Sequence, residues 1–145
     1  MRIYLVGFMG SGKTYLGRQL ASRLGFQFFD LDQEMERQTG KTISQIFEEE
    51  GETFFRNLEA SSLRLTEKLS NCIIATGGGA PCFFQNMAWM NDHGITIYLQ
   101  AKPDLLARRL ENEAHQRPLL EGKNGQPLLD LIEKKLVERV GFYEQ

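Results

Sequence analysis

A glycine-rich stretch near the start of the chain carries the residue types that bind phosphate. Its sequence, Gly7-Phe8-Met9-Gly10-Ser11-Gly12-Lys13-Thr14, places two glycines five positions apart and follows the second with lysine and threonine. Glycines let the backbone bend so that successive N–H groups point at one anion. The lysine then reaches the outer phosphates, and the threonine hydroxyl is a ligand for Mg²⁺. We assign nucleoside triphosphate binding to Gly10, Ser11, Gly12, Lys13 and Thr14.

The segments on either side of this stretch are the ones that a phosphate-binding loop requires. The apolar segment Ile3–Val6 precedes it and predicts a strand. Three leucines at helical spacing follow it and lead to a glycine at a helix end: Leu16, Leu20, Leu24 and Gly25. A strand, a glycine-rich turn and a helix in this order distinguish a P-loop from a chance match of the same spacing. The sequence therefore predicts a nucleotide-binding P-loop.

Two carboxylates follow the second predicted strand, Gln27–Phe29, in the order Asp30-Leu31-Asp32. The carboxyl end of a strand in an α/β chain lies in the crevice where such sheets bind ligands. Side chains two positions apart on an extended segment point the same way, so the two charges indicate a cation or a hydroxyl to bind. The alternatives are that both side chains are solvated in a turn, or that Asp32 caps the next helix.

A buried-strand pattern over 72–76 runs directly into Gly77-Gly78-Gly79. Three consecutive glycines are costly in unfolded-state entropy, and a plain turn needs only one or two. The pattern favours close approach of a ligand to the backbone at this loop.

Arg56 lies among apolar residues of a helix that we predict over about 52–69, directly after Phe54 and Phe55. A planar guanidinium at this place matches a carboxylate bidentately, and Glu59 one turn away can orient it. The alternative is an ordinary arginine whose head snorkels into water.

A polar segment over about 111–126 has no strong periodicity, and it contains Arg117-Pro118-Leu119-Leu120. We interpret this segment as an active-site lid, because long uncommitted loops in compact domains often have that role. An arginine on a lid can reach a transferring phosphoryl group. The alternative is a solvated Arg117 on a loop.

The remaining segments alternate between strand and helix patterns. A further strand is predicted over 95–99. Helices are predicted over about 33–39, 42–51, 81–92, 103–111 and 127–140, the second of them opened by a capping box at Thr42 and Gln45. This alternation predicts an α/β fold with a parallel sheet and right-handed crossovers.

Composition limits the class of protein and of partner. The chain has 145 residues, enough for one domain, with 41% hydrophobic residues, 25% charged residues and a net charge of −2. This balance argues against a sequence-independent grip on nucleic acid and favours a small-molecule partner. No apolar run approaches membrane-spanning length, and we expect no signal peptide and a cytoplasmic location. The two cysteines, Cys72 and Cys82, match no metal-ligand spacing and are expected to be reduced.

Taken in sequence, these motifs resemble those of the shikimate kinase family, small P-loop kinases related in fold to the nucleoside monophosphate kinases. The resemblance rests on Gly7–Thr14, Asp30-Leu31-Asp32, Phe54-Phe55-Arg56, Gly77–Gly79 and Arg117–Leu120. It implies a three-layer α/β/α fold over 1–145, with strand order 2-3-1-4, a substrate-binding helical insert over about 32–60 and the lid over about 111–126. It also implies a monomer that transfers the γ-phosphoryl group of ATP to the 3-hydroxyl of shikimate in aromatic amino acid biosynthesis.

The resemblance also implies roles for individual residues. Thr14 and Asp30 hold Mg²⁺, and Lys13, Asp32 and Arg117 are catalytic, with Asp32 as the candidate base. ATP is bound by the P-loop with Leu16, Arg109 and Arg117, although Arg108 is a rival for the place beside adenine. Shikimate is bound by Asp32, Phe47, Phe55, Arg56, Gly77, Gly78, Gly79 and Arg139.

The family pattern continues beyond the position of Gln145 with a further strand, an adenine loop and a final helix, so we expect this sequence to be either a piece of a longer protein or a short member of the family. Two other functions stay open at this point. One is a related P-loop kinase that acts on gluconate, another polyol or acid, or a nucleotide. The other is a nucleotide-binding module without catalysis.

Overall fold

The computed structural model describes residues 1–111, 123 and 125–145, and strands alternate with helices along them. The strands are β1 (Arg2–Val6), β2 (Gln27–Asp30), β3 (Cys72–Ala75) and β4 (Ile95–Tyr98). The α-helices in this part of the chain are α1 (Lys13–Leu24), α2 (Leu31–Thr39), α3 (Ile43–Leu65), α4 (Asn86–His93), α5 (Pro103–Leu110) and α6 (Gly125–Tyr143). Short 3₁₀ turns lie at Thr66–Lys68 and Ala80–Cys82.

The strands form one parallel sheet in the order β2-β3-β1-β4. β1 lies between β3 and β4, with Ile3 opposite Ile73 on one side and Ile95 on the other. β2 pairs with the outer side of β3. The predicted α/β class and the strand order 2-3-1-4 are both confirmed.

Alternation along the strands sends side chains to two separate apolar layers. Ile3 and Leu5 pack with Ala21 of α1 on one face of the sheet. Tyr4 and Val6 face the other way, into a larger cluster that α2, α3 and α4 complete. Because successive strand residues point to opposite faces, a strand that is buried on both sides is apolar throughout. A third cluster joins α5 and α6 to Phe8 of the P-loop.

The ends of the helices follow the predicted local signals. Gly25 and Gly40 end α1 and α2 in the left-handed conformation, with φ of 68° and 70°. The capping box at Thr42 and Gln45 is formed, and each side chain bonds the other residue's backbone N–H. Gly51, with φ of 85°, interrupts α3 where the sequence predicted a helix end.

Two predicted apolar faces are wrong in part. These are Leu16, Leu20 and Leu24 on α1, and Phe54, Phe55, Leu58, Leu65 and Leu69 on the helix predicted over 52–69. Leu16 and Leu24 of α1 are 41% and 47% exposed, whereas Gly17 and Ala21 are buried. Helix α1 approaches the sheet through these small residues, and a Cβ at Gly17 would lie only 2.6 Å from Phe28 Cε1.

On α3, Phe54 and Leu65 are also exposed, while Phe55 is buried in the core.

Several predicted helix bounds also shift. The helix expected over 52–69 ends at Leu65, and the one expected from Pro81 begins at Asn86. Phe84 and Gln85 have φ of 49° and 55°, values that a right-handed helix does not allow, so α4 starts after them. None of the helices described here is both long and apolar enough to cross a membrane.

Candidate functional site

A cavity of about 690 Å³ lies where the P-loop, the segment after β2 and the loop after β3 meet. Parallel sheets place ligand sites beyond the carboxyl ends of their strands, and this cavity has that position. Its lining combines the P-loop with carboxylates and with part of the loop Gly77–Gly79, the glycine loop. The lining residues are Met9, Gly10, Ser11, Gly12, Lys13, Thr14, Tyr15, Leu16, Asp30, Asp32, Gln33, Ala75, Thr76, Gly77, Gly78 and Arg109.

The P-loop presents the Lys13 ammonium group and the N-terminus of α1 to this cavity. Gly10 and Gly12 have φ of 82° and 100°, which lets the chain turn tightly before α1 begins at Lys13. Lys13 Nζ lies over the loop and donates to the carbonyl oxygen of Phe8 at 3.0 Å and to that of Gly7. The N-terminus of α1 and the ammonium group together form a binding place for a polyphosphate.

Thr14 and Asp30 come together at the edge of the cavity. Thr14 Oγ1 donates to Asp30 Oδ2 over 3.3 Å. A hydroxyl and a carboxylate beside a phosphate site fit Mg²⁺, which binds few protein oxygens and completes its shell with phosphate and water. In the part of the chain that the structure describes, no three Cys, His, Asp or Glu side chains form a metal cluster.

The predicted extended arrangement of the two aspartates is wrong. β2 ends at Asp30, and Asp32 already lies in the first turn of α2. Asp30 rather than Asp32 caps this helix, because its Oδ1 accepts the backbone N–H of Gln33 at 3.2 Å. Both carboxylates nevertheless line the cavity, since the helix begins at the ligand crevice.

Asp32 and Glu59 converge on the glycine loop. A Cβ at Gly77 would lie 3.2 Å from Asp32 Oδ1 and 3.0 Å from Glu59 Oε2. Glu59 is fully buried, and this burial raises the pKa of its carboxyl to about 7, against the opposing effect of Arg56. The charge of Asp32 raises the pKa of Glu59 further.

Arg56 is held rigidly and does not snorkel. Only 4% of its surface is exposed, its Nη1 donates to Glu59 Oε1 at 2.9 Å, and its Nε lies 3.4 Å from Glu52 Oε1. The guanidinium carbon lies 4.3 Å from the ring centre of Phe83, which adds a cation–π contact.

Arg139 is a second buried cation, with 6% of its surface exposed. Its guanidinium carbon lies 5.6 Å from the ring centre of Phe8, and its Nη1 lies 3.4 Å from the place of a Cβ at Gly78. Among the described residues, Nη1 has no hydrogen-bond acceptor. A buried guanidinium nitrogen in this situation favours an anionic ligand.

The three consecutive glycines are explained by close neighbours that leave no room for side chains. All three residues are described, and none of them has positive φ. A Cβ would lie 2.6 Å from Arg56 Nη2 at Gly79 and 3.1 Å from the backbone nitrogen of Met9 at Gly78. The loop therefore lets the arginine and the P-loop approach its backbone directly.

The other predicted site residues fall in three places. Arg109 Nη1 donates to the Gly10 carbonyl oxygen at 2.9 Å and lines the cavity together with Leu16. Phe47 and Phe55 have ring centres 4.7 Å apart and pack on the main core, outside the cavity lining. Arg117 and most of the predicted lid lie outside the described residues.

Three aromatic residues at the site were missed by the sequence reasoning. Phe8 and Phe83 lie against the two arginines, and no local pattern distinguishes them from core phenylalanines. Tyr143 is buried and donates its hydroxyl to the Gly78 carbonyl oxygen. The last helix was predicted to end at about 140, so the spacing of four from Arg139 became a signal only because α6 continues to Tyr143.

Comparisons with known proteins agree on one family. The family model described as shikimate kinase matches residues 9–145. The chain is 46% identical to a shikimate kinase of Bacteroides thetaiotaomicron over 145 residues, which is all of this chain and 83% of that protein. It is equally similar to one of Bacteroides fragilis, where it covers 81% of the relative.

Solved structures give the same result. A shikimate kinase from Bacteroides thetaiotaomicron superposes with a TM-score of 0.93 at 45% identity, over 99% of this chain and 82% of that one. The shikimate kinase of Acinetobacter baumannii in complex with shikimate gives 0.91 at 39% identity, over 99% and 78%. A deoxyadenosine kinase from M. mycoides, at 17% identity and a TM-score of 0.57, shares the fold alone.

Proposed function

The chain belongs to the shikimate kinase family, whose reaction transfers the γ-phosphoryl group of ATP to the 3-hydroxyl of shikimate, and we propose that Lys13, Asp32 and Arg117 carry out that reaction here. The protein is an ATP-dependent kinase with a small-molecule acceptor. The observation that carries the proposal is that the P-loop, Asp32 and the glycine loop line one and the same cavity.

Recognition of the acceptor is assigned to two buried arginines. Arg56 and Arg139 lie against Gly79 and Gly78, so both guanidinium groups reach the same loop. Shikimate carries a carboxylate, and the charge-assisted hydrogen bonds that arginine donates to this group are stronger than hydrogen bonds between neutral groups. Glu59 holds Arg56 in place from behind, through the bond to Nη1.

Asp32 is assigned to the hydroxyl that is phosphorylated. Its carboxylate lines the cavity between the P-loop and the glycine loop, where an acceptor bound by Gly77 and Gly78 would lie. From there it orients the hydroxyl and accepts its proton as the phosphoryl group transfers.

Neutralisation of the negative charge on the phosphates is assigned to Lys13 and Arg117. Lys13 lies at the N-terminus of α1 on the cavity wall, where it neutralises the outer phosphates. Arg117 is proposed to approach the transferring group from the lid, and closure of that lid would exclude water as a competing acceptor. Little covalent chemistry falls to the protein, so positioning and charge neutralisation account for the rate.

Thr14 and Asp30 are assigned to Mg²⁺, on the evidence of their oxygen atoms 3.3 Å apart beside the phosphate site. When bound, the ion neutralises charge on the nucleotide phosphates.

Arg109 and Leu16 are assigned to the nucleotide side of the cavity, and Arg109 is favoured over Arg108 because it bonds Gly10. Phe47 and Phe55 stay proposed neighbours of the acceptor ring. That the protein is a cytoplasmic monomer with no nucleic-acid or membrane partner also stays a prediction.

The proposal is tested by coupled ADP release with MgATP, with shikimate, gluconate, deoxyadenosine or no acceptor. We expect release that depends on shikimate and is lost in Lys13→Ala, with the two other acceptors at background. Release with gluconate or deoxyadenosine but not shikimate would instead support a related kinase of the same fold.

A further inference from the structure

The glycine loop that faces the acceptor is held from a distant part of the chain. Its three carbonyl groups have different partners. Gly77 O accepts the N–H of Ala80 at 3.1 Å, and Gly79 O accepts that of Cys82 at 3.0 Å. Gly78 O instead accepts the hydroxyl of Tyr143 at 2.5 Å, from 65 residues away. The central carbonyl therefore depends on a side chain, whereas its neighbours are fixed by the local turn.

The hydrogen bond from Tyr143 fixes the orientation of the peptide between Gly78 and Gly79. A trans peptide is planar, so fixing the carbonyl of Gly78 also fixes the direction of the Gly79 N–H. Glycines on both sides leave this peptide more rotational freedom than any other residue pair would. Without the hydroxyl, the local turn alone would leave its orientation open.

Tyr143 is well placed to hold this peptide. Only 1% of the residue's surface is exposed, and its ring packs against Tyr98, with ring centres 5.1 Å apart. Burial raises the pKa of the Tyr143 hydroxyl, although Arg139 opposes the shift, so the group stays protonated and remains a donor. Tyr143 also follows Arg139 by four residues, which places both on one face of α6.

The same helix face thus supplies two groups to the glycine loop. Arg139 reaches the loop beside Gly78, and Tyr143 bonds the carbonyl of that residue. We propose that Tyr143 is a positioning residue, whose hydroxyl holds the Gly78–Gly79 peptide in the orientation in which the loop and Arg139 receive the acceptor. This inference rests on the proposed function, because it concerns the acceptor side of that site.

The test is Tyr143→Phe, which keeps the ring and removes the hydroxyl, with Tyr98→Phe as the matched control. We expect KM for shikimate to rise about fivefold in Tyr143→Phe, because one lost neutral hydrogen bond costs about 1 kcal/mol. KM for ATP should change less than about twofold, because the P-loop does not contact this hydroxyl. Tyr98→Phe should leave both constants unchanged.

A merely structural role would give a different result. It would lower the melting temperature and change both KM values together, or leave shikimate KM unchanged, and either outcome would overturn the proposal.

A second readout separates failure of this proposal from failure of the proposed function. In ¹⁵N spectra, the amide signals of Gly78 and Gly79 should shift or broaden in Tyr143→Phe and not in Tyr98→Phe. If the parent protein shows no shikimate-dependent turnover, the proposed function fails and so does the acceptor role of Tyr143. Unchanged glycine signals would overturn the proposed anchoring itself, whatever the activity.

Discussion

A single added methyl group at Gly79 should disable recognition of the acceptor. In Gly79→Ala, the new Cβ would lie 2.6 Å from Arg56 Nη2, 2.8 Å from Nη1 and 2.9 Å from Cζ. These distances are shorter than any that real Cβ atoms tolerate, so the guanidinium has to move by about 0.8 Å to reach ordinary contact. The backbone at Gly79 has φ of −93°, which alanine adopts without strain, so the effect is confined to this contact.

The size of the effect follows from how tightly Arg56 is held. Its Nη1 bonds Glu59 at 2.9 Å and its face lies on Phe83 at 4.3 Å, so the guanidinium cannot withdraw without losing one of them. A displaced guanidinium no longer meets a carboxylate in the bidentate geometry. Loss of a charge-assisted hydrogen bond costs about 1.5–3 kcal/mol, which is roughly 10- to 150-fold in affinity.

The assay is steady-state ADP release at varied shikimate and at varied ATP. We expect shikimate KM in Gly79→Ala to rise by that factor while ATP KM changes less than about twofold. Gly141→Ala is the matched control, because nothing lies within 4 Å of its Cβ position and it should be active. If Gly79→Ala folds and binds shikimate like the parent, the assignment of Arg56 to the acceptor is wrong.

Three other predictions concern charge. The pKa of Glu59 is about 4.5 in the unfolded chain and about 7 in the folded protein, so the folded state binds more protons between these pH values. The free energy of unfolding should therefore fall as pH rises from about 4.5 to 7, by at most about 3 kcal/mol. Denaturant titrations of the parent protein should show this pH dependence, and those of Glu59→Gln should not. Asp30→Asn keeps a capping oxygen but loses the charge, so melting temperature should hold while the Mg²⁺ concentration for half-maximal rate rises; an unchanged Mg²⁺ requirement would remove Asp30 as a ligand. Arg117→Ala should lower kcat by a larger factor than it raises shikimate KM, and the reverse pattern would place Arg117 on the acceptor instead.

Local signals were enough for most of the fold. The P-loop spacing, the capping box at Thr42 and the helix ends at Gly25 and Gly40 each depend on a few neighbouring residues, and the structure shows all of them. The strand order came from the family resemblance, since the parallel pairing of β1 with β3 joins residues about 70 positions apart.

Tertiary packing decided what the local patterns could not. Leucine spacing on α1 predicted a face that is only partly right, because the helix approaches the sheet through Gly17 and Ala21. Leu20 packs there, but Leu16 and Leu24 are exposed. The pair of Arg56 with Glu59 is local and was predicted, but the contact of Arg56 with Phe83 and the bond from Tyr143 to Gly78 join distant segments. Such contacts leave no periodic trace in a sequence, so the site could be located from motifs but its geometry could not.

The most direct test of the account compares shikimate with its methyl ester as acceptors for the parent protein and for Arg139→Ala. The two acceptors differ in the negative charge that the buried arginines are proposed to bind. We predict that kcat/KM of the parent protein is lower for the ester by about 100-fold, and that Arg139→Ala removes most of this difference by losing activity on shikimate alone. Equal use of both acceptors by the parent, or undiminished discrimination by Arg139→Ala, would contradict the account.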